Sequence, residues 1–282
     1  MLAIVAAAAV AASTFVAGDA FGGRHSRTHA RSGTTVTLPA VLTATLPGAR
    51  VTVYGDSLIS QSVPYLKAVG TAFGLTVTTE SFAGTAPCDF LPNLERDLSK
   101  RPPDVVVWAF SGNSIGTCMI GTDGQPLVGG AILARYRDDV LTAAKQTEAA
   151  GSRFVVVSPP TARSVGDWSA FDAMYRGLAA ADSRIDYVDG GVEIAPDGHF
   201  TSTEVCLPFE TQLAAAQAQC TSANQILVRA TDGVHFCQFD KQMTCPGYSS
   251  GAMRYSLVIL GAVRLDVDYR YVQRKRPGGP SR

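Results

Sequence analysis

The stretch that decides the fold is Val51–Ser60, VTVYGDSLIS. A run of strand formers, Val51–Tyr54, ends abruptly in Gly55-Asp56-Ser57, and a segment with helical character, QSVPYLKAVGTAF, follows it. Serine at such a junction has two ordinary uses. It can cap the helix that begins there. It can also stand as a nucleophile at the end of a strand, where backbone N–H groups at a helix start stabilise a developing oxyanion. Three residues do not choose between these, so the rest of the chain has to.

Outward from that junction, apolar runs alternate with helical segments. The spacing predicts a helix over 60–73 and a strand over 75–81 (LTVTTES), then DVVVWAF at 104–110, apolar almost throughout, as in a strand covered on both faces. A helix over 131–151 with a Gly stop, a strand at Phe154–Val157, a helix over 168–182 and a strand over 184–190 follow. QILVRA (225–230) reads as a further strand and the region near 249–265 as a last helix, while 191–224 reads as an inserted loop-helix excursion. Strand–helix alternation of this kind predicts an α/β fold: a parallel sheet sandwiched between helices, in one domain over 47–268.

Composition agrees with a globular chain: 46% apolar, 17% charged, 282 residues. Lys+Arg and Asp+Glu are 24 each, so no global field draws the chain to nucleic acid. Basic residues cluster at Arg24–Arg31 and Arg270–Arg282, in flanks read as a linker (21–46) and a disordered basic tail (269–282). Contact of these flanks with anionic wall polymer or lipid headgroups is the alternative to plain solvation. Residues 1–20 open with an uncharged apolar run and read as a signal peptide or N-terminal anchor, with Gly18-Asp19-Ala20 as one cleavage site. No Lys or Arg precedes that run, and the expectation is a start upstream of Met1 or a clipped signal.

Six cysteines, Cys88, Cys118, Cys206, Cys220, Cys237 and Cys245, form no C-x-x-C pair and no zinc-ligand spacing. Cys206/Cys220 and Cys237/Cys245 each bracket a short polar loop, so local pairing is predicted: 88–118, 206–220 and 237–245. Disulfides form in oxidising compartments, which places the protein outside the cytoplasm, extracellular or in the cell envelope. Membrane association through the N-terminus goes with that placement.

In a parallel α/β sheet, ligands sit beyond the carboxyl ends of the strands. The residues there are Gly55-Asp56-Ser57, Ser81-Phe82-Ala83-Gly84, Ser111-Gly112-Asn113, Ser158-Pro159 and Thr231-Asp232-Gly233-Val234-His235. A serine needs a base, and the base an orienting partner. TDGVH offers both in one loop, with Asp232 for one ring nitrogen of His235 and Ser57 for the other; the plain alternative is an Asp-Gly turn with a packed histidine. Asn113 offers an amide donor to an oxyanion, or else an ordinary turn residue. Gly84 would turn its N–H to the same point.

Other chemistries fit less well. His199 reads as a surface-loop histidine, and His25 and His29 as solvated linker residues. Gly247-Tyr248-Ser249-Ser250-Gly251 matches G-x-S-x-G, but no strand precedes it and no histidine follows it. No carboxylate pair stands out for glycoside hydrolysis. Neither a G-x-G-x-x-G after the first strand nor a P-loop lysine is present, so no nucleotide cofactor and no metal are expected.

GDS near the start, a glycine in the next loop, an asparagine after the third strand and D-x-x-H near the end resemble the SGNH hydrolase (GDSL esterase/lipase) superfamily over residues 50–265. Ser57, Gly84, Asn113 and His235 are the residues that match, with Asp232 completing a triad. One block departs: the family's Gly-x-Asn-Asp stands here as Ser111-Gly112-Asn113-Ser114. GTAPCD and SGNS with a nearby cysteine look similar to SGNH domains of exported actinobacterial proteins. The resemblance implies a flavodoxin-like three-layer α/β/α sandwich and a carboxylic ester hydrolase with catalytic Ser57, Asp232 and His235. Its oxyanion hole would be Ser57, Gly84 and Asn113, with the 88–118 bridge tying together the two donor loops. The expected substrate is a short acyl ester, such as acetyl, on a cell-wall polysaccharide or glycolipid. Transfer of the acyl group to a sugar hydroxyl and a non-catalytic envelope-binding module are the two rivals.

Overall fold

A computed structural model describes residues 48–163, 168–239 and 243–275, with side chains of the last segment as far as Arg264. Residues 1–47 and 276–282 lie outside the described residues, so the expectations about signal, linker and the end of the tail fall there.

The first strand, β1 (Arg50–Gly55), leads into α1 (Ser57–Ala72). Then follow β2 (Thr76–Ser81), α2 (Pro87–Lys100), β3 (Val105–Ala109), α3 (Gly130–Ala149), β4 (Arg153–Val157), α4 (Trp168–Ala181) and β5 (Ile185–Val188). These five strands form one sheet in the order β2-β1-β3-β4-β5, with every neighbouring pair parallel. The order reverses at β1, between β2 and β3, the switch point at whose carboxyl ends ligands of such sheets bind.

Successive side chains of a strand point to opposite faces, and both faces here are covered. Val105, Val107, Val155 and Val157 pack on one side with α1 and the last helix, α6 (Ser250–Lys275). Val106, Trp108, Phe154 and Val156 pack on the other with α2, α3 and α4. All five residues of β3 are therefore buried, which is why its sequence reads as an unbroken apolar run. The result is the expected α/β/α sandwich.

Three expectations need correction. The sequence reading passes over α2, although Phe90, Leu94 and Leu98 at i, i+4 and i+8 are buried on one face, and Pro at its first turn and the Asp89 carboxylate accepting the Ala86 N–H are good start signals; Pro92 inside the segment argues against a helix. QILVRA is not a strand of the central sheet. Only Gln225–Leu227 is extended (β7), pairing antiparallel with β6 (Thr203–Val205) in a separate ribbon, where Ile226 alone of the three is buried. A half-exposed ribbon alternates, and four β-branched or apolar letters concealed that. Finally, α6 runs on to Lys275, past the expected domain end at 268.

The excursion 191–224 carries β6 and a short helix, α5 (Ala214–Gln217). It is fastened to α6 by the buried pair Arg254–Glu210 at 2.7 Å. The three disulfides join 88–118, 206–220 and 237–245, the predicted pairing. None of the described helices is long and apolar enough to cross a membrane.

Candidate active site

The turn between β1 and α1 decides which residue caps the helix. Asp56, not Ser57, caps the helix: its Oδ1 accepts the Leu58 N–H at 3.1 Å, and Ser57 is the first helical residue. Gly55 is required by close approach, since a Cβ there would lie 2.5 Å from the Ala109 carbonyl oxygen of β3 and 2.3 Å from Ile59. Strand β1 thus meets β3 tightly, and Ser57 stands just beyond the carboxyl end of β1.

The second oxygen of Asp56 binds across to β3. It accepts the Ser111 N–H at 2.6 Å, the Ser111 hydroxyl at 2.5 Å and Asn113 Nδ2 at 3.0 Å. Burial pushes this fully enclosed carboxyl above its ordinary value, opposed by the bonds from Ser111 and Leu58. Tyr136, buried on α3, donates to the Asn113 carbonyl at 2.9 Å, so the Asn113 loop is held from both sides. The roles of Asp56 and Ser111 were missed by sequence reading. Both stand at strand ends, but their bonding depends on two loops meeting.

The loop that carries Asp232 and His235 is built by a tight turn. The Gly233 N–H reaches the Ala230 carbonyl at 3.0 Å and the Ala230 N–H reaches the His235 carbonyl at 2.7 Å. Gly233 sits at φ +75°, and a Cβ there would strike Arg163. Asp232 Oδ1 accepts the N–H groups of Val234 and His235 at 2.8 and 3.0 Å, while Oδ2 lies 2.7 Å from His235 Nδ1. Partial burial by itself would raise this carboxyl; the two backbone N–H groups and the imidazole outweigh it and hold it below its ordinary value. Beneath the loop, the buried Arg229 guanidinium donates to the carbonyls of Val234, Pro160 and Thr161. Burial lowers Arg229 to about 10, which leaves it charged at neutral pH.

The two loops meet. His235 Nε2 lies 3.0 Å from Ser57 Oγ, across 178 residues of chain. With Nδ1–H donated to Asp232, the neutral ring presents a lone pair on Nε2 to the serine hydroxyl. Serine, histidine and aspartate thus stand in one continuous chain of hydrogen-bond contacts.

No family model and no curated protein matches the chain. Among solved structures it is similar to a GDSL-like lipase from Bacteroides thetaiotaomicron, at 15% identity and TM-score 0.47, over 77% of this chain and 89% of that one. It is similar to a lipase/acylhydrolase from Enterococcus faecalis, at 16% and 0.44, over 78% and 96%. A catalytic mutant of an acetylxylan esterase from Geobacillus stearothermophilus gives 14% and 0.46, over 78% and 94%. At such identities, the chemistry has to rest on the side chains themselves.

The remaining candidates fall as follows. Gly84 lies in the loop after β2, with Ile115 Cδ1 2.6 Å from where its Cβ would stand, so the Gly84 and Asn113 loops are neighbours. The Cys88–Cys118 disulfide, with Cα atoms 6.1 Å apart, links the start of α2 to the short 3-10 turn beyond Asn113. Among the described residues, one group of metal-ligand types gathers, Cys88, Asp89 and Cys118; both sulfurs are in the disulfide, so no thiolate is left to bind an ion. Ser249 of the G-x-S-x-G match is buried and bonds to the Phe236 carbonyl. His199 is exposed in its loop.

Proposed function

We propose that this chain is a serine esterase working through an acyl-enzyme. The observation that carries the reading is the continuous contact Ser57 Oγ–His235 Nε2–His235 Nδ1–Asp232 Oδ2, at 3.0 and 2.7 Å. Ser57 Oγ attacks the ester carbonyl while its proton passes to His235 Nε2, and Asp232 stabilises the imidazolium that forms. The oxyanion is received by the N–H groups of Ser57 and Gly84 and by the Asn113 amide, which Asp56 orients. The tetrahedral adduct collapses, His235 returns the proton to the departing alkoxide, and the acyl group remains on Ser57. Water, deprotonated by His235, attacks the acyl carbon; the bond to Ser57 Oγ breaks as His235 returns the proton to that oxygen, and the acid leaves.

Three disulfides support export to an oxidising compartment. In that setting the substrate we favour is a short acyl ester, such as acetyl, on an envelope glycan or glycolipid. Fluorophosphonate labelling with peptide mapping, alongside p-nitrophenyl acetate hydrolysis, tests the chemistry. The expected result is an adduct on Ser57 and a fall in kcat of roughly 10⁴-fold or more in Ser57→Ala. Hydrolysis by Ser57→Ala at the parent rate would end this reading.

A further inference from the structure

Along α1, Ser57, Gln61 and Tyr65 stand at i, i+4 and i+8 and share one face of the helix. Each holds a successive piece of the segment that carries the base. Ser57 meets His235 as described. Gln61 Oε1 accepts the Phe236 N–H at 2.8 Å and its Nε2 donates to the Cys237 carbonyl at 3.3 Å. The Tyr65 hydroxyl accepts the Ser249 N–H at 2.6 Å and donates to the Gly247 carbonyl at 3.3 Å. Between the second and third of these grips, the Cys237–Cys245 disulfide closes the chain.

Gln61 is fully buried, and burying a side-chain amide is costly unless both of its ends are bonded. Here both are, to the two residues directly after His235. An amide is suited to this because it offers one acceptor and one donor side by side, matching the N–H and C=O of a backbone edge. With residues 236 and 237 fixed to the helix that begins with the nucleophile, the approach of the imidazole to the hydroxyl follows from the register of α1. We propose that Gln61 is a positioning residue that sets His235 against Ser57, with Tyr65 as a second grip one turn further on. The proposal rests on the esterase reading above and adds to it the device that holds base and nucleophile together.

The test compares Gln61→Leu, which removes both bonds at similar volume, with Val69→Ala, which opens a cavity on the same helix far from the base loop. Both are measured well below their melting temperatures. Gln61→Leu is expected to lose about 10²-fold in kcat with KM nearly unchanged, because a small misplacement of reacting groups costs about that much. Val69→Ala is expected to lower Tm without loss of kcat. Tyr65→Phe should lose less kcat than Gln61→Leu. An unchanged kcat in Gln61→Leu, or an equal kcat loss in Val69→Ala, overturns the proposal. Hydrogen exchange supplies a readout that needs no activity: the Phe236 amide should lose protection at least tenfold in Gln61→Leu but not in Val69→Ala, and equal protection in both overturns the positioning role. If wild type neither hydrolyses esters nor takes the Ser57 label, the esterase reading fails, while the exchange result still decides whether Gln61 fixes the base loop.

Discussion

Asp56 is the residue whose removal should cost most relative to how little its sequence context announces. In Asp56→Ala, the Leu58 N–H, the Ser111 N–H, the Ser111 hydroxyl and the Asn113 amide all lose their acceptor. The hydroxyl can rotate and the amide can swing toward water, because Asn113 is only half-buried. The two backbone N–H groups cannot move without moving β3 or unwinding the first turn of α1. Stranding a buried donor costs about 1–3 kcal/mol, so two of them amount to about 4 kcal/mol. For a chain of this size, each kcal/mol shifts Tm by roughly 2–4 °C, giving a fall of about 8–16 °C. The Asn113 amide loses its orienting partner at the same time; in the proposed mechanism that amide is an oxyanion donor, and loss of one such donor costs about 10²–10³-fold in kcat. Circular dichroism melting together with p-nitrophenyl acetate kinetics reads both effects. Asp56→Asn keeps one acceptor oxygen but turns an amide N–H₂ toward donors, so it should fall between. A Tm within about 2 °C of wild type and an undiminished kcat in Asp56→Ala would refute the hub.

Other expectations follow from the same geometry. Asp232 titrates below its ordinary value of 3.8, so its stabilising contribution is fully present above that value and is lost as pH falls through the lower folded-state value. The Tm gap between wild type and Asp232→Asn should therefore close as pH falls below 3.8; because the side chain is 42% exposed, the gap itself should be small, and one that persists undiminished in strongly acid buffer would contradict the assignment. Arg254→Ala leaves the fully enclosed Glu210 carboxylate without its cation, which should cost about 3–5 kcal/mol in urea unfolding. A loss under about 1 kcal/mol would show that the excursion is not fastened there. Removing the Cys88–Cys118 bridge, a separation of 30 residues, should cost about 3.5 kcal/mol by loop entropy. Urea titration of the double serine variant without reductant measures it, and full retention of stability would refute that figure.

Much of this protein is legible in its letters. Continuous apolar runs such as Val105–Ala109 signal strands covered on both faces, and their alternation with helical segments specifies a parallel sheet between helices. The ends of β1 and β3 then nominate Ser57 and Asn113, because a parallel sheet brings its carboxyl ends to one edge; the loop of Asp232 and His235 follows no strand of that sheet. Pattern is a poorer guide at α2, where Pro92 inside the segment argues against a helix that nonetheless forms, and at 225–230, where an apolar run belongs to a short ribbon and not to the central sheet.

What depends on contacts between distant segments was not legible at all. From sequence, Ser57 and His235 are candidates separated by 178 residues; only the closed tertiary structure puts Oγ and Nε2 at 3.0 Å. Likewise Asp56 reads locally as a helix cap and Gln61 as a helical polar residue, and neither shows what lies opposite. Backbone preference and hydrophobic period act over a few residues and are written in local sequence. Hydrogen bonds between loops form only after burial has fixed which loops are neighbours, so the partners of Asp56 and Gln61 belong to the folded molecule alone.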